Sequence, residues 1–395
     1  MEETMSNVEV LDRVYAANTY GRAPVVFKSS KGVYLEDEAG KQYLDFGSGI
    51  GVMSLGYQHP TWTQYVTEQV KTLVHTSNLF YNEKTALLTA GLAQRTGFDK
   101  VFLSNSGAEA NECLIKTARK WANDVKGEGE HPIVTLVNSF HGRTVTTVTA
   151  TGQDTFHTHF GPFTPGFRYV KAGDIDAMKA QLDKEDCAAV LVEIVQGEGG
   201  VRALDADYLK ALEALCHEKN VLFCVDEVQT GNGRTGHWFA FEHFGLKPDL
   251  VSTAKGLGNG LPIGATLMNE KTANVLTPGT HGSTFGGNPV ACAGALAVLA
   301  TVDDEFLLEV ARKGEVLKTA LEALPGVTDV SGLGLMIGFS VEGQKAADIK
   351  AKALEEGLVI LTAKDRVRLL PPLVITDDEL LLGVEKIKKV IALKD

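Results

Sequence analysis

Short, uninterrupted apolar runs recur through the middle of the chain, and each one ends in polar or charged residues. Three such runs lie within AAVLVEIVQGEGG, VLFCVDE and LVSTAKG. Runs of this length, rich in β-branched residues and without polar alternation, are typical of strands buried on both faces of a parallel sheet. Amphipathic stretches suited to helices separate them. The pattern therefore predicts repeated strand–helix units with right-handed crossovers, an α/β fold with a mostly parallel central sheet.

The C-terminal part of the chain has a different rhythm. Asn288-Pro289 marks the start of a helix, because proline is favoured in the first helical turn. Shorter strands then alternate with helices, and Thr376 with Glu379 forms a capping box that opens the last helix. The other predicted helices of this region are 289–302, 304–324 and 344–356.

The change of rhythm suggests how the chain divides. Near the N-terminus, a short helix precedes a strand pair around GVYLEDEAGKQYLDF, with its turn at Glu38-Ala39-Gly40. We interpret residues 51–294 as a large domain and residues 295–395 as a small α+β domain. Residues 1–50 are expected to fold back and pack with the small domain.

Two of the apolar runs end in residues that a buried strand does not tolerate. Residues 221–225 lead into Asp226-Glu227, and residues 250–253 lead into Lys255 and a glycine-rich segment. Polar groups at the carboxyl ends of parallel strands point into the crevice where α/β sheets bind ligands. The simpler interpretation is one structural ion pair. The alternative is a lysine made nucleophilic by burial, opposite an aspartate that keeps a pyridine nitrogen protonated, as pyridoxal phosphate requires.

Other residues fit a phosphate-bearing, ring-shaped ligand. Ser106, Gly107 and Ala108 precede a long amphipathic helix, whose free N–H groups and macrodipole favour an anion, although Ser-Gly also caps helices that bind nothing. Phe140 is expected at the edge of a strand, where it offers a flat face for stacking, and Arg143 offers a planar fork for a carboxylate. The apolar run in AAVLVEIVQGEGG places Glu193, Gln196 and Glu198 at the same edge of the sheet, and Gln229 follows Asp226.

Three histidines and one glycine motif are weaker indications of a functional site. His141 is more often a structural histidine in such a context, and His157 with His159 lack a third ligand at metal-binding spacing. Residues 231–236 spell G-x-G-x-x-G after a strand, as in dinucleotide-binding folds. A helix should then follow directly, with an acid ending the next strand, but Asp249 opens that strand instead. We therefore disfavour nicotinamide binding.

Composition narrows the class of protein. The 395 residues are 44% hydrophobic and 22% charged, which is ordinary for a globular chain. A net charge of -12 without clustered Lys and Arg argues against nucleic-acid binding. The five cysteines show neither zinc spacing nor the even count of a disulfide framework. The start lacks a secretory signal, and the longest apolar run, 290–300, is too short for a membrane span. We expect a cytoplasmic protein without a membrane partner.

Six segments in order resemble the motifs of class III (ω-amino acid) aminotransferases, which are fold-type I pyridoxal-phosphate enzymes. They are NSGAEANE, SFHGR, VEIVQGEGG, DEVQTGNGRTG, STAKGLGNGLPIGA and HGSTFGGNPVA, and they span almost the whole chain. The resemblance implies that Lys255 forms the Schiff base, that Asp226 contacts the pyridine nitrogen and that Gln229 lies near the ring hydroxyl. It also implies stacking by Phe140, a contribution of Glu193 to the cofactor site, and phosphate binding by Ser106, Gly107 and Ala108.

The same resemblance implies a homodimer with active sites at the subunit interface, where Thr284 of one subunit assists phosphate binding in the other. Tyr20, Arg143 and Ser283 are implied in substrate binding. Glu198 would pair with Arg368 and release it when glutamate is the amino donor. An arginine that is covered for one substrate and uncovered for the other lets a single site bind two substrates whose carboxylates lie at different positions.

The expected substrate follows from the finer similarity. Length and the segment GSGIGVMSLG are most similar to family members that transfer the terminal amine of N2-acetylornithine to 2-oxoglutarate, in arginine biosynthesis. Ornithine-specific members place tyrosine where this chain has Ile50, and its absence favours an acylated substrate. 4-Aminobutyrate or ornithine transamination is the alternative within the family, and N-succinylornithine or succinyldiaminopimelate could be additional substrates. Gly56-Tyr57-Gln58-His59-Pro60 replaces the more usual Gly-His-x-His-Pro, a difference without an assigned role.

Two further alternatives lie outside this reaction. An intramolecular aminomutase shares the fold and the lysine but needs no 2-oxoglutarate. A homologue that serves only as a binding protein should have lost the lysine, the aspartate or the arginine, and this chain has all three. The resemblance favours ping-pong transamination, in which Lys255 moves a proton at the reacting carbon.

Overall fold

The computed structural model describes residues 6–392. A central seven-stranded sheet has the order β4-β12-β11-β10-β7-β5-β6, in which β11, β10, β7, β5 and β6 are parallel and β12 is antiparallel to both neighbours. Its strands are β4 (Lys100–Ser104), β5 (Ile133–Leu136), β6 (Phe167–Val170), β7 (Ala189–Val192), β10 (Leu222–Asp226), β11 (Leu250–Thr253) and β12 (Gly264–Met268). The predicted class, a mostly parallel α/β sheet, is confirmed.

Within the described residues there are three smaller sheets, two of four strands and one of two strands. The N-terminal strands pair with β15 near the C-terminus, and a second four-stranded sheet has the order β13-β14-β17-β16. The strands are β1 (Phe27–Lys31), β2 (Tyr34–Asp37), β3 (Gln42–Asp45), β8 (Val195–Gln196), β9 (Arg202–Ala203), β13 (Val327–Leu333), β14 (Met336–Val341), β15 (Leu358–Val359), β16 (Leu361–Ala363) and β17 (Arg366–Leu369). The division at residues 50 and 294 stays a prediction, and residues 1–5 and 393–395 lie outside the described part.

Helices flank the central sheet and the C-terminal sheets. Side-chain caps set several starts: Ser106 accepts from the Glu109 N–H, and Thr376 and Glu379 form the predicted capping box. The helices are α1 (Asn7–Tyr15), α2 (Ser48–Gly51), α3 (Pro60–Val70), α4 (Glu83–Thr96), α5 (Gly107–Lys126), α6 (Val145–Ala150), α7 (Ile175–Leu182), α8 (Ala206–Glu218), α9 (Pro289–Thr301), α10 (Asp304–Glu322), α11 (Ala346–Glu355) and α12 (Asp377–Ala392). Within residues 6–392, no helix combines the length and the apolar character that a bilayer crossing needs.

The strands that lead to the site are buried on both faces. Every residue of β7, β10 and β11 is buried, which explains their continuous apolar sequence. Buried apolar residues form two clusters on the central sheet, which take alternate residues of its strands, and another around the C-terminal sheets. Arg234 connects the two parts, because its Nη1 donates to the carbonyls of Leu335 at 2.9 Å and Pro371 at 2.5 Å.

The packing of α12 depends on a glycine. A Cβ atom at Gly383 would lie 2.1 Å from Cζ of the buried Phe46, so the helix backbone rests directly on that ring. We predict that Gly383→Ala destabilises the protein by about 1 kcal/mol, because overpacking costs about 1–3 kcal/mol and alanine recovers only about 1 kcal/mol of helix propensity. Urea unfolding measures the change. Gly21→Ala, where a Cβ meets nothing within 4 Å, is the control. Equal stability of both variants would contradict the prediction.

Candidate active site

One cavity of about 450 Å³ lies at the carboxyl ends of the parallel strands. Most of the residues predicted from the sequence line it, and they come from five separate segments of the chain. These residues are Ser106, Gly107, Ala108, Phe140, Arg143, Glu193, Asp226, Gln229 and Lys255. A cavity at this edge of an open α/β sheet is where such folds bind ligands.

Asp226 is the last residue of β10 and is 4% exposed. Its Oδ2 accepts from Asn111 Nδ2 at 2.7 Å and contacts His141 Nδ1 at 2.8 Å, while its Oδ1 accepts from the Val228 N–H at 3.0 Å. Asn111 lies on α5 and also donates to the His141 carbonyl at 2.8 Å. These contacts hold the carboxylate in one orientation at the cavity wall.

Lys255 follows β11 and begins a short 3₁₀ turn, Lys255–Leu257. Burial lowers the pKa of its ammonium group, and the positive charge of Arg368 lowers the pKa further, against the opposing effect of nearby carboxylates. A lysine with a lowered pKa carries a larger fraction of free amine near neutral pH. The simple ion pair considered from the sequence is not observed, because Asp226 instead contacts Asn111 and His141.

Glu193 forms a second acidic wall of the cavity. Its Oε2 accepts from the Phe140 N–H at 2.9 Å, which fixes the loop that carries the aromatic ring. Burial, together with the negative charge of Asp226, raises the pKa of Glu193 well above its usual range. Phe140 itself lies in the loop after β5 and not at the strand edge expected from the sequence.

The two arginines of the site have different surroundings. The Arg143 guanidinium lies 4.1 Å from the ring centroid of Phe156 and 5.6 Å from that of Phe140, and its side chain is exposed. Arg368 on β17 is buried, and its Nη1 donates to Glu198 Oε1 at 2.6 Å and to Gln229 Oε1 at 3.2 Å. One cation is therefore open and the other is covered by a carboxylate.

Besides Glu198 and Arg368, three predicted residues do not line the cavity within this chain. Tyr20 is 72% exposed in the N-terminal segment. Ser283 Oγ accepts from Asn105 Nδ2 at 3.1 Å and from the Gly286 N–H at 2.9 Å, and Thr284 beside it is exposed. Their proposed roles in substrate and phosphate binding stay predictions.

The turn that carries Ile50 was not predicted. Ser48, Gly49, Ile50 and Gly51 all have positive φ, so this turn is left-handed. The buried Asp45 accepts from the N–H groups of Gly47 and Ser48, and Tyr57 donates to its other oxygen at 2.8 Å. The unusual Tyr57 of the GYQHP segment thus contributes to holding a turn next to the cavity-lining Val52.

Pyridoxal phosphate fits this set of residues. α5 points its N-terminus at the cavity, and a Cβ at Gly107 would lie 2.5 Å from Val228 Cγ1, so only glycine leaves the backbone free there. Asp226 offers a fixed carboxylate for a pyridinium N–H, and Lys255 offers an amine for an aldehyde. Among residues 6–392, no group of His, Cys, Asp and Glu has the arrangement of a metal site.

Two contacts of the site were missed by sequence reasoning. Asn111 follows Gly107 by four residues, the helical spacing that brings it to the same face of α5, and this spacing could have indicated it. His141 was interpreted as structural, and its contact with the Asp226 carboxylate was not predicted.

Glu227 points away from the cavity, unlike Asp226. It is fully buried, its Oε1 accepts from the Phe241 N–H at 3.0 Å, and Thr230 contacts its Oε2. Burial raises the pKa of this carboxyl group to about 8. The folded state therefore keeps a proton that the unfolded chain loses near pH 4.5.

This raised pKa gives a prediction for stability. The contribution of protonated Glu227 to the free energy of unfolding is fully present below about pH 4.5 and is lost as the pH rises through about 8. Glu227→Gln keeps the hydrogen bonds without the titration. Its stability relative to the native protein should therefore rise with pH across this interval, by up to about 1.4 kcal/mol per pH unit. Denaturant unfolding at several pH values measures this, with exposed Glu322→Gln as the control. Parallel profiles would contradict it.

Comparison with known proteins agrees with this geometry. The family model "Aminotransferase class-III" matches residues 15–391. The acetylornithine aminotransferase of Haemophilus ducreyi is 49% identical over 390 residues, which cover 98% of this chain and 99% of that protein. The crystal structure of the ornithine aminotransferase from Toxoplasma gondii has a TM-score of 0.94 at 36% identity and covers 99% of this chain and 95% of that one. That of acetylornithine aminotransferase from Elizabethkingia anophelis has a TM-score of 0.86 at 36% identity, with 97% of each chain covered.

Proposed function

The chain belongs to the class III aminotransferases, which depend on pyridoxal phosphate, and we propose that it transfers the terminal amino group of N2-acetylornithine to 2-oxoglutarate. The products are N-acetylglutamate 5-semialdehyde and glutamate, as in arginine biosynthesis. The high identity to acetylornithine aminotransferases over nearly the whole chain supports this substrate. So does Ile50, which stands where ornithine-specific members have tyrosine.

The observation that carries the proposal is a pair of unlike arginines: Arg143 lines the cavity, and Arg368 lies beside it in contact with the cavity-lining Gln229. Arg143 is open to receive the α-carboxylate of N-acetylornithine, whose reacting amine lies at the far end of the molecule. Glutamate reacts through its α-amine and needs a second cation near the reacting carbon. Arg368 can serve it once Glu198 moves away, because the ion pair of 2.6 Å is partly exposed on the Glu198 side.

The residues of the cavity have separate tasks in this reaction. Pyridoxal phosphate, when bound, supplies an aldehyde that carries the amino group and a ring that withdraws electrons from the reacting carbon. Asp226, fixed by Asn111 and His141, would hold the pyridine N–H. Lys255, with its lowered pKa, is the base that would remove a proton from the reacting carbon of the amino donor and, in the second half-reaction, supply one to the reacting carbon of the 2-oxo acid. The N-terminus of α5 would bind the phosphate.

We also propose a homodimer in the cytoplasm. Leu79, Phe80, Tyr81 and Phe285 are large apolar residues with exposed side chains beside Thr284. Asn78 connects their two segments by donating to the carbonyls of Ser283 and Gly286. An apolar patch of this kind is typical of a protein interface and would place Thr284 at a partner subunit. The five cysteines are free, as expected in a reducing compartment.

The substrate is tested by reacting the cofactor-loaded protein with four donors in parallel: N-acetylornithine, N-succinylornithine, ornithine and 4-aminobutyrate. The visible absorbance of the bound cofactor should fall fastest with N-acetylornithine, at least about tenfold faster than with ornithine, because this chain has Ile50 in place of the tyrosine of ornithine-specific members. Added 2-oxoglutarate should restore the absorbance, which an aminomutase would not require. Lys255→Ala is the control and should lose turnover.

Faster reaction with ornithine or 4-aminobutyrate would reassign the substrate within the family. No absorbance change with any donor would contradict aminotransferase activity itself.

The ion pair predicts a selective effect. Glu198→Gln removes the carboxylate that covers Arg368, so the KM for glutamate should fall by about tenfold, the equivalent of about 1.4 kcal/mol. The KM for N-acetylornithine should fall less or rise, because an uncovered second cation competes for its carboxylate. Separate half-reactions with each donor measure this. Glu309→Gln, which breaks the exposed Arg312 pair, is the matched control. Equal changes for both donors would contradict the covering role.

A further inference from the structure

The G-x-G-x-x-G segment lies in the interior, directly behind Lys255. Asn232, Arg234 and Thr235 are each at most 1% exposed, so this turn cannot receive a dinucleotide from solvent. Positive φ values at Asn232, Gly233 and Gly236 give it a compact course. The function described so far leaves this buried polar turn without a role.

The backbone of Lys255 is strained. Its φ is +46°, a left-handed value that residues other than Asn, Asp and Gly rarely adopt. Such conformations cost roughly 1–3 kcal/mol and persist only where surrounding contacts enforce them. Contacts that hold the peptide between Ala254 and Lys255 therefore decide where the lysine side chain starts.

Asn232 makes such a contact. Its Nδ2 donates to the Ala254 carbonyl at 3.0 Å and to Thr253 Oγ1 at 2.9 Å. The Ala254 carbonyl belongs to the peptide that joins Ala254 to Lys255. It also accepts from the Leu257 N–H at 3.0 Å, so two donors hold the oxygen of this peptide.

The side-chain oxygen of Asn232 is in a different situation from its nitrogen. No donor among the described residues lies within hydrogen-bond reach of the buried Asn232 Oδ1. An unsatisfied buried acceptor costs roughly 1–3 kcal/mol, so an apolar side chain of similar size would serve stability equally well. The contact to Ala254 is then better explained by what it does for Lys255 than by stability.

We propose that Asn232 is a positioning residue that holds the strained backbone of Lys255 and so aims its amine at the reacting carbon. This inference rests on the proposed function, because it assigns Lys255 the proton transfer. Asn232 itself touches neither cofactor nor substrate. Its loss should affect the chemical step of both half-reactions equally and leave substrate binding unchanged.

The test uses Asn232→Leu and a matched control, Asn269→Leu. Asn269 lies at the opposite end of the central sheet, where its Nδ2 donates to Asp249 at 2.8 Å and its Oδ1 accepts from Lys271. Asn232→Leu should lower the rate constant of each half-reaction about tenfold to a hundredfold, since misplacement by about 1 Å has effects of that size. The KM for N-acetylornithine should stay within about twofold, because the arginines are untouched.

Two readouts do not depend on turnover. The pH at which the visible absorbance of the bound cofactor changes should shift in Asn232→Leu, because the lysine amine moves relative to its neighbours. Thermal unfolding of the cofactor-free Asn232→Leu protein should occur at the native temperature or higher. Asn269→Leu should show the reverse pattern, with lower thermal stability, native rates and a native absorbance titration.

Native rates with an unshifted absorbance titration in Asn232→Leu would overturn the proposal, as would a raised KM without loss of rate. Asn232→Ala removes the same donor without adding bulk, so it should show the same loss of rate and decides the matter if the leucine variant does not fold. If the native protein fails to react with N-acetylornithine, the proposed function fails, but the absorbance titration still tests the positioning of Lys255.

Discussion

The site depends on two polar groups placed at the ends of adjacent buried strands. Asp226 ends β10 and Lys255 follows β11, and parallel pairing of Val225 with Val251 brings the two strand ends to the same edge. A buried carboxylate and a buried amine are costly unless other groups hold them. Asn111 and His141 do this for Asp226, whereas Lys255 stays apart from it with a lowered pKa. The two groups can therefore act on one ligand instead of on each other.

The surrounding fold explains why this separation persists. α5 contributes its N-terminus and Asn111, and the loop after β5 contributes Phe140 and His141. On the other side, β17 brings Arg368 to Glu198 and Gln229. Arg234 lies in the turn behind Lys255, and its Nη1 donates to the Pro371 carbonyl just after β17. The turn behind Lys255 is therefore hydrogen-bonded to the segment that follows Arg368. Placement of the chemical groups is thus a property of both parts of the chain.

Much of this could be predicted from the sequence, where a local pattern has one structural outcome. The β10 and β11 strands, the Ser106 cap and the Thr376 capping box follow from apolar runs and from residues that satisfy free N–H groups. The contacts of His141 and Asn232 could not be predicted in the same way, and helical spacing could indicate only the face of α5 on which Asn111 lies. The partners of Asn111, His141 and Asn232 lie 115, 85 and about 20 residues away, and only the folded chain brings them together. Tyr20, Ser283 and Thr284 lie away from the cavity of the chain that carries them, and their roles stay predictions.

The central claim is that Lys255, and no other lysine, faces the cofactor across from Asp226. Borohydride reduction of the native, cofactor-loaded protein makes the bond between lysine and cofactor permanent, and peptide mass spectrometry then locates it. We predict one phosphopyridoxyl adduct, on the peptide that contains Lys255. An adduct on a different lysine, or no adduct in protein saturated with pyridoxal phosphate, would contradict it.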